Sequence, residues 1–286
     1  MIRRAFAIAC CAGFLFPSGC RQSAPVPVRV AVIGGMTMSG LWPMVAEAFT
    51  AKTGIPVELA VTGPKDVLDG AFRAGGIDLL TMHSSDTATR LVADGLACNM
   101  RPWTYNEHVI VGPEDDPAGI RGMTDGAAAL ARIAAGRHPF VEARNTGSHE
   151  VSKHLWDRAG MRPSGDWLIR DGSESGRLVV EFARSHDAYV VVGRIPVRSG
   201  KMPSGGMEVL VKGDPGMRRP YVVLEAVPET TRSLNPAGAR LLADFLLSPE
   251  GQQVLAEHGR RQSDGLKLFF PLSAAAAKDA EPEPSE

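Results

Sequence analysis

Short β-branched runs alternate with longer amphipathic stretches along most of the chain. Val28-Arg29-Val30-Ala31-Val32-Ile33 is closed by Gly34-Gly35, which predicts a buried strand. From Leu41 to Lys52 one helical face carries Leu41, Met44, Val45, Ala48 and Phe49, and Gly54 ends the run. A strand at 57–61 precedes a helix at 65–74 with Val67, Leu68, Ala71 and Phe72 inward, and a strand at 77–82 precedes a helix at 86–94. Strand–helix alternation of this kind predicts an α/β fold on a mainly parallel sheet.

Beyond residue 106 the pattern continues less regularly. Strands are expected at 107–113, 140–143, 188–192, 207–212 and 221–227, and helices at 127–135, 150–159, 175–184, 235–247 and 249–258. The change suggests a first lobe of residues 28–106 plus 222–273 and a second of 107–221. Two crossing strands would join them, with a ligand cleft between. The segment 274–286 is low in complexity and is expected to be a disordered tail.

The N-terminus is patterned differently. Arg3 and Arg4 precede an apolar run, Ala5 to Phe16, that is too short to span a bilayer. Residues 1–19 are therefore read as a signal peptide. Pro17-Ser18-Gly19-Cys20 resembles a lipoprotein cleavage box, which would make Cys20 the acylated first residue and 20–27 an anchor and linker. An ordinary signal peptide with an accidental Cys is the alternative. Either way the chain is expected outside the cytoplasmic membrane, periplasmic or at the cell surface. Cys10 and Cys11 leave with the leader, so Cys98 alone remains, with no internal disulfide and no cysteine-based metal site.

Composition narrows the function. Apolar residues make up 44% and charged residues 22%, enough for a real core. Lys+Arg is 31 against Asp+Glu 32, a net charge of -1, so no basic footprint calls for nucleic acid. Any ionic ligand must be held by local groups. Enzyme motifs fail on spacing. His149 and His154 are five apart in sequence and diverge on a helix, so they cannot share a metal as an i, i+4 pair does. Ser148-His149 are adjacent and do not face each other, and Gly172-Ser173-Glu174-Ser175-Gly176 has Glu where a nucleophile elbow needs Ser. No phosphate-binding glycine loop occurs. No enzyme, cofactor or metal is expected.

Small and donor residues gather at strand-to-helix junctions: Gly34 to Gly40, His83-Ser84-Ser85, and Arg144 to His149, with Gly172 to Ser175 a weaker fourth. Singly, each is an ordinary helix cap. Together, at the carboxyl ends of strands in a doubly wound sheet, they fall where ligands bind, and the free N–H groups of helix starts favour an anion. Candidate donors are the backbones of Gly34 and Gly35, His83, the hydroxyls of Ser39, Ser84, Thr146 and Ser148, and the full charge of Arg144.

Arg101-Pro102-Trp103-Thr104-Tyr105-Asn106-Glu107-His108-Val109-Ile110-Val111-Gly112-Pro113, followed by Asp116-Pro117-Ala118-Gly119-Ile120, resembles the substrate-binding proteins of tungstate ABC importers. Asp78 to His83, Phe140 to His149, Asp187-Ala188-Tyr189 and Ser248 to Gln252 are similar to that family too, so the likeness covers residues 28 to 272. It implies a two-lobed periplasmic-binding-protein fold of type II, in which tungstate or molybdate sits in the cleft of a monomer. It also implies partners, namely a membrane permease with its ATPase; contact with the membrane itself would come through the lipid anchor at Cys20. The family's Arg…Ser-Gly-Thr-His stretch has its counterpart in Arg144, Thr146, Gly147, Ser148 and His149. Its Thr-Thr-Thr-Ser run does not; this chain has Val32-Ile33-Gly34-Gly35-Met36-Thr37-Met38 before Ser39-Gly40-Leu41. A cleft of donors without a committed carboxylate favours a fully ionised oxyanion over protonated phosphate. The missing hydroxyl run leaves open a different small anion, such as an organic acid. A ligand-sensing lipoprotein with no import role is the alternative of another class.

Overall fold

The computed structural model describes residues 24–202, 205–261 and 267–272. The leader, Cys20 and the 274–286 tail lie outside the described residues. The strands are β1 Val28–Ile33, β2 Val57–Gly63, β3 Leu79–His83, β4 Ala97–Gly112, β5 Phe140–Glu142, β6 Leu168–Arg170, β7 Tyr189–Gly193, β8 Glu208–Val211, β9 Arg218–Ala226 and β10 Phe270–Pro271. They follow the order β2-β1-β3-β9-β4-β7-β5-β6, with β8 and β10 also pairing with β4.

The sheet is mixed rather than mainly parallel. Parallel pairs need a crossover, usually a helix. They occur where helices intervene: β1 with β2 and β3, and β5 with β6 and β7. The middle is antiparallel, because β9 pairs β3 and β4, and β4 pairs β7 and β8. β4 starts ten residues earlier than the strand expected at 107. Register shifts at Cys98/Arg101 and Pro102/Thr104 break its alternation, so no period of two marks its first half.

The apolar core divides along β4. One cluster gathers β1, β3 and β9 with the helix Leu41–Thr53 and the C-terminal helices Pro236–Leu247 and Pro249–Arg260, around Trp42, Phe49, Phe72 and Trp103. Two others cover the faces of the second sheet, one around Phe140, Trp156 and Tyr189, the other around Val109, Val141 and Val190. Buried Asp78 ties the C-terminal segment to the first sheet. Its carboxylate accepts from the backbone of Arg29, Leu234 and Asn235 and from the Ser233 hydroxyl, all at 2.7–2.9 Å.

Local departures have local causes. Val67 was expected inward but is 44% exposed, and Leu68 and Phe72 alone bury the face of Lys65–Ala74. The helix expected at 175–184 forms only at Val179–Arg184. Short helices at Gly34–Met38 and Arg194–Arg198 lack the length for a readable period.

Candidate functional site

A cavity of about 570 Å³ opens where the two sheets meet. Its walls come from the end of β1, the start of the helix Thr146–Arg158 and the crossing strands β4 and β9. Lys65, Arg177, Lys201 and Arg219 contribute cations, and no Asp or Glu lines it. The neighbouring acid Glu107 is buried and already committed, accepting from Arg194 and from the Gly213 backbone at 2.9 Å.

β4 and β9 form the floor through their register. Asn106 lies opposite Arg219, and Tyr221 lies opposite His83 of β3. His83 stacks on Tyr221 with ring centroids 4.2 Å apart. Asn106 Oδ1, His108 Nδ1, Asn145 Nδ2 and Tyr221 Oη are buried without a hydrogen-bond partner among the described residues. All four residues line the cavity. Buried polar atoms are normally paired, and unpaired ones clustered at one cleft point to a ligand that completes them.

Electrostatics follow from burial and one cation. Burial, then the Arg219 charge, pushes His108 down to about 3, and the same causes in the same order hold His83 well below the usual imidazole value. Both rings are therefore neutral near pH 7, each with one N–H to donate. Burial and Arg219 also lower Lys65. Burial raises Tyr221, so its phenol keeps its proton.

The residues singled out in the sequence separate into two groups. Gly34, Gly35, His83 and Thr146 line the cavity. Ser148 does not line it; it is 1% exposed, two residues from Thr146 in the same helix turn, its Oγ unpartnered and its N–H donating to Asn145 Oδ1 at 2.9 Å. Ser39, Ser84 and Arg144 do not line it. The Ser39 hydroxyl donates to the Met36 carbonyl at 3.1 Å, and Ser84 is exposed. Arg144 donates to the Ser173 carbonyl and lies 3.9 Å from the fully buried side chain of Asp171. A buried carboxylate needs such a neighbour, which draws the guanidinium away from the cleft.

Sequence reasoning passes over Asn106, His108, Arg219 and Tyr221. The signal is faint: Asn106-Glu107-His108 stands directly before the apolar run Val109-Ile110-Val111, and Arg218-Arg219 precedes another apolar strand. Among the described residues no group of His, Cys, Asp and Glu could hold a metal ion, and no helix is long and apolar enough to cross a membrane.

The family model for bacterial extracellular solute-binding proteins matches residues 30–261. A Haloferax volcanii protein, provisionally assigned as an ABC transporter anion-binding protein, is 31% identical over 82% of this chain and 67% of its own length. The tungstate-binding protein TupA of Peptoclostridium acidaminophilum is 27% identical over 94% of this chain and 95% of its own. The solved structure of TupA from Desulfovibrio alaskensis is similar with a TM-score of 0.71 and 27% identity, covering 87% of this chain and all of that one.

Proposed function

Because the chain belongs to the bacterial extracellular solute-binding proteins, a transport family and not an enzyme family, we propose that its cleft binds a tetrahedral oxyanion, tungstate or molybdate, for delivery to an ABC importer. The observation that carries this reading is a cavity lined by four cations and several unpartnered polar atoms, with no carboxylate. A dianion satisfies the cations and the Asn145 and Tyr221 donors together, and Asn106 can turn its amide to present N–H in place of Oδ1.

In this reading the Gly34 and Gly35 backbones form the first wall, Thr146 and Ser148 with their helix start the second, and His83, Asn106, His108 and Tyr221 the floor. Ser39, Ser84 and Arg144 support the walls from outside. The lobes are residues 28–106 with 222–273, and 107–221. Cleavage before Cys20 and its acylation would hold the monomer at the membrane, next to its permease and ATPase.

Isothermal titration of the purified protein with tungstate, molybdate, sulfate and phosphate tests the proposal. Tungstate or molybdate should bind well above the other two. Binding of none of the four would reject it in favour of a small organic anion. That second reading draws on the apolar side chains of Met38, Ile195 and Met202 in the cavity wall.

A further inference from the structure

We propose that Arg219 is the charge-selecting residue of the cleft, the guanidinium that makes it take a tetrahedral dianion in preference to a monoanion of similar size. This rests on the oxyanion reading above. Arg219 sits on β9 at the crossing of the two sheets, opposite Asn106. Its side chain is 12% exposed, whereas Arg177 in the same wall is exposed, Lys201 is turned to the Met38 sulfur in an exposed contact, and Arg144 is engaged elsewhere. Lys65 is a weaker cation, because burial and the charge of Arg219 both lower it.

Its seat is unusual for a cation. The guanidinium lies over Gly147, where a Cβ would collide with Nη1, and Nη2 donates to Glu150 at 2.8 Å. Gly147 is in the first turn of the helix Thr146–Arg158. Free N–H groups give that end of a helix a partial positive charge, which repels a cation. Glu150 offsets the repulsion only in part, since it is 52% exposed and screened by water. An anion in the cavity that touches both the guanidinium and the helix start turns both unfavourable charges into favourable ones. His83 and His108 beside it are neutral and cannot take over this role.

Perrhenate is the suitable probe, being tetrahedral and close to tungstate in size with one negative charge fewer. Tungstate and perrhenate are titrated calorimetrically, in mildly alkaline buffer, into the wild-type protein and into Arg219→Gln and Arg219→Lys, with thermal melts to verify folding. The wild type should prefer tungstate strongly. Arg219→Gln should lose tungstate affinity on the order of 100-fold and perrhenate affinity much less, while Arg219→Lys keeps most of the preference. Equal losses for both anions in Arg219→Gln, or an unchanged tungstate affinity, would overturn the assignment. If Arg219→Gln does not fold, Gly147→Ala decides, because its methyl group displaces the guanidinium: a tungstate loss much larger than the perrhenate loss supports the assignment, and equal losses overturn it. A wild-type protein that binds neither anion overturns the oxyanion reading itself, and so is told apart from a failure confined to Arg219.

Discussion

The two walls of the cleft both follow strands, yet they are built differently. After β1 comes Gly34–Met38, a helix of a single turn with no side-chain cap. Its hydroxyls are spent on local structure: Thr37 bonds to the Gly34 carbonyl and to Thr62, and Ser39 to the Met36 carbonyl. After β5 comes Thr146–Arg158, capped by Asn145, with the Asn145 amide and the Ser148 hydroxyl still unpartnered and Arg219 against its first turn. The first wall offers backbone and the second offers side chains and charge. A hydroxyl in a sequence is thus not yet a donor for a ligand; its own backbone competes for it.

The largest effect should come from putting a methyl group on each wall. Gly147→Ala collides with the Arg219 guanidinium and displaces it. We expect anion affinity to fall on the order of 100-fold while Tm holds or rises, because Ala suits a helix better than Gly. Gly35→Ala meets the Tyr221 hydroxyl at 3.5 Å, an ordinary contact, and should change affinity by less than about 3-fold. Equal losses in calorimetry would dissolve the contrast between the walls.

Next in size is the pH dependence of the floor. His108 has a folded-state value of about 3 against 6.5 as its ordinary one. Between these limits the unfolded chain binds a proton that the folded chain refuses. The stability is therefore complete above pH 6.5 and is lost as pH falls toward 3, by up to about 1.4 kcal/mol per pH unit. Thermal melts across this range should show a shallower slope for His108→Gln. Anion affinity should not change through neutrality, since no imidazole in the cleft titrates there, and should fall at alkaline pH as Lys65, lowered by burial and by Arg219, loses its charge.

Asn145→Ala removes a cap and a donor together. It should cost about 1 kcal/mol in chemical denaturation and about tenfold in affinity. Ser39→Ala should do least, within about twofold in affinity, because its hydroxyl is bound to Met36 rather than facing the cleft. A large loss there would mean the first wall recognises the ligand through side chains after all.

Much of this could be read along the chain. β1, β5 and β7, the long helices and their caps follow from periodicity and junction chemistry, because those signals act over a few residues. Gly34, Gly35, His83 and Thr146 were legible as site candidates for the same reason: each stands where a strand hands over to a helix. Arg144 was legible as a charge but not in its direction, since Asp171 that holds it is 27 residues away in sequence.

An α/β protein with donor-rich helix starts was already written in local periods and short-range hydrogen bonding. The floor of the cleft comes from long-range strand pairing. Asn106 and His108 meet Arg219 and Tyr221 only because β4 and β9 pair antiparallel in one register, across more than a hundred residues of chain. A shift of one residue would turn those side chains to the opposite face. No local pattern records that register, and it is the register that gathers the charge and the unpartnered polar atoms at one point.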